Sequence, residues 1–246
     1  MSNDQPVPAL ASTLILVRAR GRLPEVLLLK RGAHARFMPN AHVFAGGAVD
    51  AEDASAAVRR SSPHFDDRQA SARLQLNADG LRFFVAAIRE SFEECGLLLA
   101  YDRSGAIVDL TSWSEARLHA LRTQLSLRQT DLAAVCEAHG WTLAADQLTF
   151  YSHWVTPPGS RRRFDTRFFI ARAPLHQRAS LADGEMSHFV WRTAAEALAE
   201  HAAGKLLLML PTHTVLGEIA QFDDVDALFN AAGRRTGIAP FTPDLP

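Results

Sequence analysis

Residues 89–97 read Arg89-Glu90-Ser91-Phe92-Glu93-Glu94-Cys95-Gly96-Leu97, and how this stretch folds decides how the rest of the chain is read. Phe84, Ile88, Ser91 and Cys95 recur at helical spacing, with Val85 and Phe92 beside them, so the pattern predicts a helix over Gly80 to Gly96. Gly96 suits the C-terminal end of that helix. Glu90, Glu93 and Glu94 fall at i, i+3 and i+4 and therefore crowd one face, away from Phe84, Ile88 and Phe92. Carboxylates this close repel one another unless positive charge sits among them. A divalent cation such as Mg²⁺ or Mn²⁺ prefers oxygen ligands and would supply that charge, and Arg89 could hold one carboxylate in place. On spacing alone, a solvated acidic face remains the alternative.

Working outward, Ser12 to Val17 and Val26 to Leu29 are short apolar runs joined by Gly21 to Pro24, a hairpin pattern. Arg31 to Asn40 reads as a loop, and His42 to Phe44 as a short strand running into Gly46 and Gly47. Ala51 to Asp79 is polar and rich in alanine and arginine. It reads as an insertion with Pro63 at a helix start or in a loop and one modest helix over Arg68 to Leu76. Downstream of the acidic helix, Leu97 to Tyr101 continues as a strand. Two helices follow, Trp113 to Leu125 and Thr130 to His139, the second with Thr130 as N-cap and Gly140 as stop. Leu148 to Val155, Phe164 to Arg172 and Glu185 to Trp191 read as strands, with Pro174 to Gly184 a loop. Thr193 to Ala203 and Pro211 to Phe222 read as helices. Residues from Gly233 onward read as a loosely held tail.

The chain has 246 residues, 48% of them hydrophobic, and a formal net charge of -1, enough for a real core and without the excess positive charge that attracts nucleic acid polymers or acidic membranes. The lysines are Lys30 and Lys205 alone, so the basic residues are mostly arginines, which suit planar contacts to phosphate or carboxylate. Cys95 and Cys136 are the only cysteines and form no CxxC; a reduced protein is expected. The opening MSNDQPVPAL lacks the pattern of a secretion signal, and no stretch nears the roughly 20 apolar residues of a membrane span. The expectation is a cytoplasmic protein that does not enter membranes.

The string from Arg89 to Leu97 resembles the second half of the Nudix box, a glycine-led loop followed by a helix carrying REUxEExGU, where U is apolar. Ser91 departs from the apolar position. The first half resembles Ala45-Gly46-Gly47, with Asp53 or Glu52 in the place of the first glutamate, and the insertion splits the two halves. Phe37-Met38-Pro39 ahead of His42-Val43-Phe44-Ala45-Gly46-Gly47, the split box, and His153-Trp154-Val155-Thr156-Pro157 followed by Arg163-Phe164-Asp165-Thr166-Arg167-Phe168-Phe169 are similar to a Nudix subfamily related to peroxisomal coenzyme A diphosphatases. Pro240 to Pro246 carry no peroxisomal address, so a bacterial cytosol suits the chain better than that compartment.

The resemblance implies an α/β fold, the Nudix α/β/α sandwich around a mixed β-sheet. A single domain would span residues 10–230, with the insertion at about 51–79, added helices at about 113–139 and a tail at 231–246. It implies hydrolysis of a phosphoanhydride in a nucleoside diphosphate conjugate, coenzyme A or an acyl derivative among the candidates, with Mg²⁺ or Mn²⁺ as cofactor. Alternatives are a broader nucleotide-sugar or dinucleotide pyrophosphohydrolase, or a Nudix-fold protein that binds nucleotides without turnover. Glu90, Glu93 and Glu94 are the expected metal ligands and catalytic carboxylates. Glu185, with Asp183 as a competitor, is the expected further ligand or general base, and a Gly46–Gly47 turn would bring a backbone carbonyl of Gly47 to the metal. Arg31, Arg36, Gly46, Gly47, Arg163, Arg167 and Trp154 are the substrate-binding candidates. Arg163 and Arg167 could equally form a structural ion pair with Asp165, and Trp154 could be a core residue. A homodimer is compatible with the sequence, but nothing in it demands one.

Overall fold

The computed structural model describes residues 6–35, 38–182 and 185–244. The hairpin is longer than its apolar runs: β1 (Ala9–Arg20) and β2 (Leu23–Arg31) pair down to Arg20 and Leu23, leaving a two-residue turn with Gly21 at φ +64°. After it come β3 (Ala41–Val43), β4 (Ala45–Ala48), a 3₁₀ turn at Glu52–Ala54, α1 (Ala56–Arg60), α2 (Asp67–Leu74) and α3 (Leu81–Cys95). The chain continues through β5 (Ala100–Tyr101), α4 (Glu115–Ser126), α5 (Leu132–His139), β6 (Thr142–Leu143), β7 (Thr149–Val155), β8 (Phe164–Arg172) and β9 (Met186–Thr193). It ends with α6 (Ala194–Ala202), β10 (Leu207–Leu208), α7 (Leu210–Ile219) and α8 (Val225–Gly233).

Among the described residues, eight strands form one sheet in the order β10-β3-β2-β1-β8-β7, with β4 also on β1 and β9 also on β2. β1 runs parallel to β8 and β10 parallel to β3, while the other pairings are antiparallel, so the sheet is mixed. Leu14 to Val17 form a continuous apolar run because both faces of β1 are covered. Leu14 and Leu16 face Phe84, Ile88 and Phe92 of α3, while Ile15 and Val17 face the core that holds Val215, Leu216 and Leu228 of α7 and α8. This is the expected α/β/α sandwich. Each fully buried Phe or Ile on α3 contributes roughly 1.5–3 kcal/mol, which anchors that helix.

Several local expectations are corrected. The insertion holds two helices. The modest one is α2, capped reciprocally by Asp66 and Gln69, and α1 precedes it, with Ser55 accepting from the amide of Val58. Val58, Phe65, Ala70 and Leu74 bury this segment against the α3-side core. Asp67 accepts from the amides of Asp79 (2.9 Å) and Leu81 (3.0 Å), so the insertion also fixes the entry of α3, whose own N-cap, Gly80, has no side chain to do so. The strand expected over Leu97 to Tyr101 shrinks to β5, because the side chain of Gln177 takes both backbone groups of Leu98 that a partner strand would have taken. Asp131, not Thr130, caps α5. The segment beyond Gly233 is held: Arg235 donates to the carbonyl of Tyr151, and Phe241 exchanges backbone hydrogen bonds with His153 and Val155 at the edge of β7. Cys95 and Cys136 are both buried and free. Among the described residues, no helix is long and apolar enough to cross a membrane.

Candidate active site

Burial of Phe84, Ile88, Ser91, Phe92 and Cys95 fixes the rotation of α3, and the other face carries Arg89, Glu90, Glu93 and Glu94. Ser91 fits the core because its hydroxyl donates to the carbonyl of Leu97 at 2.8 Å, and Gly96 closes the helix in the left-handed region, at φ +73°. Arg89 is the hub. Its Nε and Nη2 grip the two carboxylate oxygens of Asp53 at 3.0 and 2.9 Å, and Nη2 also donates to the carbonyl of Ala48 at 2.8 Å. Its Nη1 donates to Glu90 at 2.8 Å and to Glu93 at 3.4 Å. Asp53 is 2% exposed and also accepts from the amide of Asp50, so Asp53 rather than Glu52 is the acid that Arg89 holds. The bidentate geometry makes that grip directional.

Gly46 and Gly47 do not form the expected turn. They lie in β4, paired with Thr13 and Ser12 of β1, and the need for glycine is one of space. A Cβ on Gly46 would stand 2.5 Å from the carbonyl oxygen of Ser12, and one on Gly47 would stand 2.5 Å from the carboxylate of Glu90. The amide of Gly46 donates to Glu94 at 2.9 Å. The glycine strand thus lies directly against two of the three carboxylates.

These acids are electrostatically unsettled. Burial raises the pKa of Glu90 to about 7, with Arg89 opposing the rise and Glu93 adding to it. Burial and then the neighbouring charge of Glu90 hold Glu94 well above the usual range, despite the Gly46 amide. Glu93 is raised by burial, relieved by Arg89 and pushed back up by Asp50. Among the described residues, no three His, Cys, Asp or Glu side chains already converge on a metal-ready arrangement; the carboxylates are instead turned to Arg89 and the Gly46 amide. Their donor chemistry nevertheless suits a hard divalent cation: oxygen donors only, crowded and under-neutralised, beside a strand cleared of side chains.

The far side of Glu94 holds Arg31, whose pKa is lowered by burial and supported by the charge of Glu94. Arg31 forms an ion pair with Glu185, and the carbonyl of Glu185 accepts from the amide of Gly32 at 2.8 Å. This contact sits where the β2–β9 pairing shifts register at Lys30 and Arg31. The structure therefore sets Arg31 within reach of the charge of Glu94 and pairs it with Glu185. Arg36 and Asp183 lie outside the described residues.

The family model described as the NUDT19 Nudix domain matches residues 57–217. The chain belongs to this Nudix family. The match begins after Gly46, Gly47 and Asp53, so their part in the split box rests on the contacts above. Similar curated proteins include putative nudix hydrolase 7 of Caenorhabditis elegans, 30% identical over 88% of this chain and 62% of its own length. Another is the acyl-coenzyme A diphosphatase NUDT19 of Xenopus laevis, 29% identical over 83% of this chain and 62% of its own length. The chain thus spans about six tenths of these relatives. The crystal structure of a NUDIX hydrolase from Alicyclobacillus acidocaldarius superimposes with a TM-score of 0.76 at 26% identity, covering 95% of this chain and 99% of that one.

Three candidates are not brought to the Nudix carboxylates. Arg163 donates to the backbone carbonyls of Thr156 and Pro6. Arg167 is buried, donates to Asp165 at 3.2 Å and stacks 3.9 Å over the ring of Phe83. Asp165 is also bonded to His153. Trp154 is buried on the sheet face opposite α3, edge-on to Phe241. Conversely, the structure supplies residues that the sequence did not single out. Arg122 of α4 is 1% exposed and donates twice to the carbonyl of Glu93, at 2.9 and 3.2 Å, and once to Ser180 at 3.1 Å. A cation at those last carbonyls opposes the negative end of the helix. Between α3 and the α4–α5 connection lies a cleft of about 550 Å³ lined by Asp50, Glu52, Arg89, Glu90, Glu93, Ser126 and Arg128 among others. Neither the arginine spacing on α4 nor the connection that follows it gave a signal for Arg122 or Arg128.

Proposed function

We propose that this Nudix protein hydrolyses the phosphoanhydride of a nucleoside diphosphate conjugate of the coenzyme A type with the help of a divalent cation, Mg²⁺ or Mn²⁺. The observation that carries this reading is the buried, under-neutralised pair of Glu90 and Glu94 set against the Gly46–Gly47 strand. Glu90, Glu93 and Glu94, with Glu185 and the backbone of Gly47, would hold the ion. Such an ion neutralises phosphate oxygens and lowers the pKa of an attacking water. Asp53 fixes Arg89, and Arg89 orients Glu90 and Glu93. Arg31 stands beside Glu94, where it would meet a phosphate oxygen, and Glu185 would take the proton of the attacking water. Water adds to one phosphorus, the bridging P–O bond breaks, and the second phosphate leaves with that oxygen. The names of the relatives support the coenzyme A class.

The test is incubation with Mg²⁺ and, separately, coenzyme A, NADH, ADP-ribose and a diadenosine polyphosphate, followed by product separation. Release of 3′,5′-ADP from coenzyme A is the expected result. Cleavage of NADH or ADP-ribose alone redirects the substrate class to the broader pyrophosphohydrolases. No turnover of any of the four by folded protein, with Mg²⁺ or Mn²⁺, overturns the hydrolase reading in favour of nucleotide binding alone.

A further inference from the structure

The cleft beside Glu90 and Glu93 has two arginines on its walls, and they are differently committed. Arg89 is 8% exposed, and each of its three nitrogens donates to Asp53, Glu90, Glu93 or the carbonyl of Ala48. It has no geometry left for a ligand. Arg128, on the α4–α5 connection, directs Nη2 to Asp50 at 2.6 Å, and its side chain is 67% exposed. The backbone of Arg128 is in the left-handed region at φ +55°, where the amides of Arg128 and Gln129 close the C-terminus of α4 on the carbonyls of Leu125 and Gln124, both at 2.8 Å. The exposed ion pair itself contributes little to stability, so the pairing with Asp50 is one that a ligand can displace. Asp50 in turn lies 3.7 Å from Arg89, so a run of three ion pairs links Arg128 to Glu90 and Glu93.

We propose that Arg128 is a substrate-binding residue that grips a phosphate of the nucleotide conjugate, with Asp50 as its resting partner. The assignment rests on the phosphoanhydride reading above. A strongly anionic phosphate entering the cleft outcompetes a single carboxylate for a guanidinium that can bind it in fork geometry. The added helices α4 and α5 thereby become one wall of the substrate site.

The two partners of the pair distinguish this role from a mere staple across the cleft. Arg128→Ala is expected to raise KM for coenzyme A about tenfold or more, the scale of one lost charge-assisted hydrogen bond, and to leave kcat nearly unchanged. Arg128→Lys should fall between, keeping charge but losing the fork. Asp50→Asn releases Arg128 and should hold or lower KM. Equal damage from Arg128→Ala and Asp50→Asn, or an unchanged KM in Arg128→Ala, overturns the assignment. Calorimetric binding of ADP with Mg²⁺ to wild type and Arg128→Ala separates this from the hydrolase reading. Weaker ADP binding in the variant supports Arg128 even where wild type turns over no conjugate. Hydrolysis by wild type with KM and ADP binding both insensitive to Arg128 sinks Arg128 alone. Absence of ADP binding to wild type overturns it as well.

Discussion

Two clusters of buried charge lie under α3 on one row of the sheet, and they are resolved in opposite ways. The row runs Gly47, Ser12, Arg167, His153 across β4, β1, β8 and β7. At the Gly47 end, Glu90, Glu93 and Asp53 share Arg89, while Glu94 accepts from the Gly46 amide and feels the charge of Arg31. At the other end, Asp165 is alone between His153 and Arg167. Burial pushes both sets of acids up. At Asp165 the His153 hydrogen bond and the Arg167 charge win, and its pKa falls below the usual value. At Glu90 burial wins over Arg89, and the pKa rises to about 7. The balanced cluster is what a chain builds when it needs a buried ion pair. The unbalanced one is left short of positive charge beside a strand without side chains at Gly46 and Gly47.

The largest test of that contrast is Glu94→Gln. Turnover should drop about 1000-fold, or roughly 4 kcal/mol of transition-state stabilisation, while circular dichroism stays that of the folded protein. Near-wild-type turnover breaks the comparison at its functional end. Asp165→Asn tests the structural end. It leaves the buried Arg167 uncompensated and should lower the unfolding free energy by about 3 kcal/mol in urea titration, with kcat of the folded enzyme unchanged. A loss of kcat without a loss of stability would move Asp165 and Arg167 into the site.

The sequence made one of these clusters legible and hid the other, for physical reasons. Helical periodicity and the Glu90, Glu93, Glu94 spacing are local, so the rotation of α3 and its acidic face could be read directly. The apolar run from Ser12 to Val17 and the segment from Phe164 to Arg172 likewise gave strands. Contacts between distant segments could not be read. The choice of Asp53 over Glu52 depends on a 36-residue separation closed by the insertion. Arg122 reaches the last turn of α3 from a helix 29 residues away in sequence, through a backbone carbonyl that carries no sequence signal. Arg167 looked as suited to phosphate as Arg31 did. Only the register of β8 against β1, and the ring of Phe83 above it, show that it is buried with Asp165. A Gly-Gly pair reads as a turn until a neighbouring strand and a helix are seen to need the space.

The pH dependence sharpens the contrast by sign. A carboxylate raised by folding, such as Glu90, adds stability below the usual carboxylate range, and that contribution is lost as pH rises toward about 7. Asp165, lowered by folding, adds stability above its unfolded value, and that contribution is lost as pH falls through the folded value. In EDTA, the unfolding free energy of wild type should therefore fall between about pH 4.5 and about pH 7 by roughly 2 kcal/mol more than that of Glu90→Gln, and Mg²⁺ should restore the difference. Identical pH profiles for the two proteins would remove the electrostatic case for a cation at this end of the row.

The smallest effects separate the two uses of glycine. Gly47 lies outside the left-handed region, so Gly47→Ala tests space alone: the new methyl would stand 2.5 Å from the Glu90 carboxylate, which must rotate away. Gly21 is the reverse, at φ +64° with nothing within 4 Å of a Cβ, so Gly21→Ala tests backbone strain alone. Gly47→Ala should weaken Mn²⁺ binding, followed by electron paramagnetic resonance, about tenfold, as expected for a disturbed ligand shell, and change stability little. Gly21→Ala should lower stability by about 1 kcal/mol and leave Mn²⁺ affinity where it was. If both variants lose Mn²⁺ affinity in proportion to lost stability, the ion senses only the general integrity of the fold. If Gly47→Ala alone loses it, the narrow gap between β4 and α3 is what shapes the site.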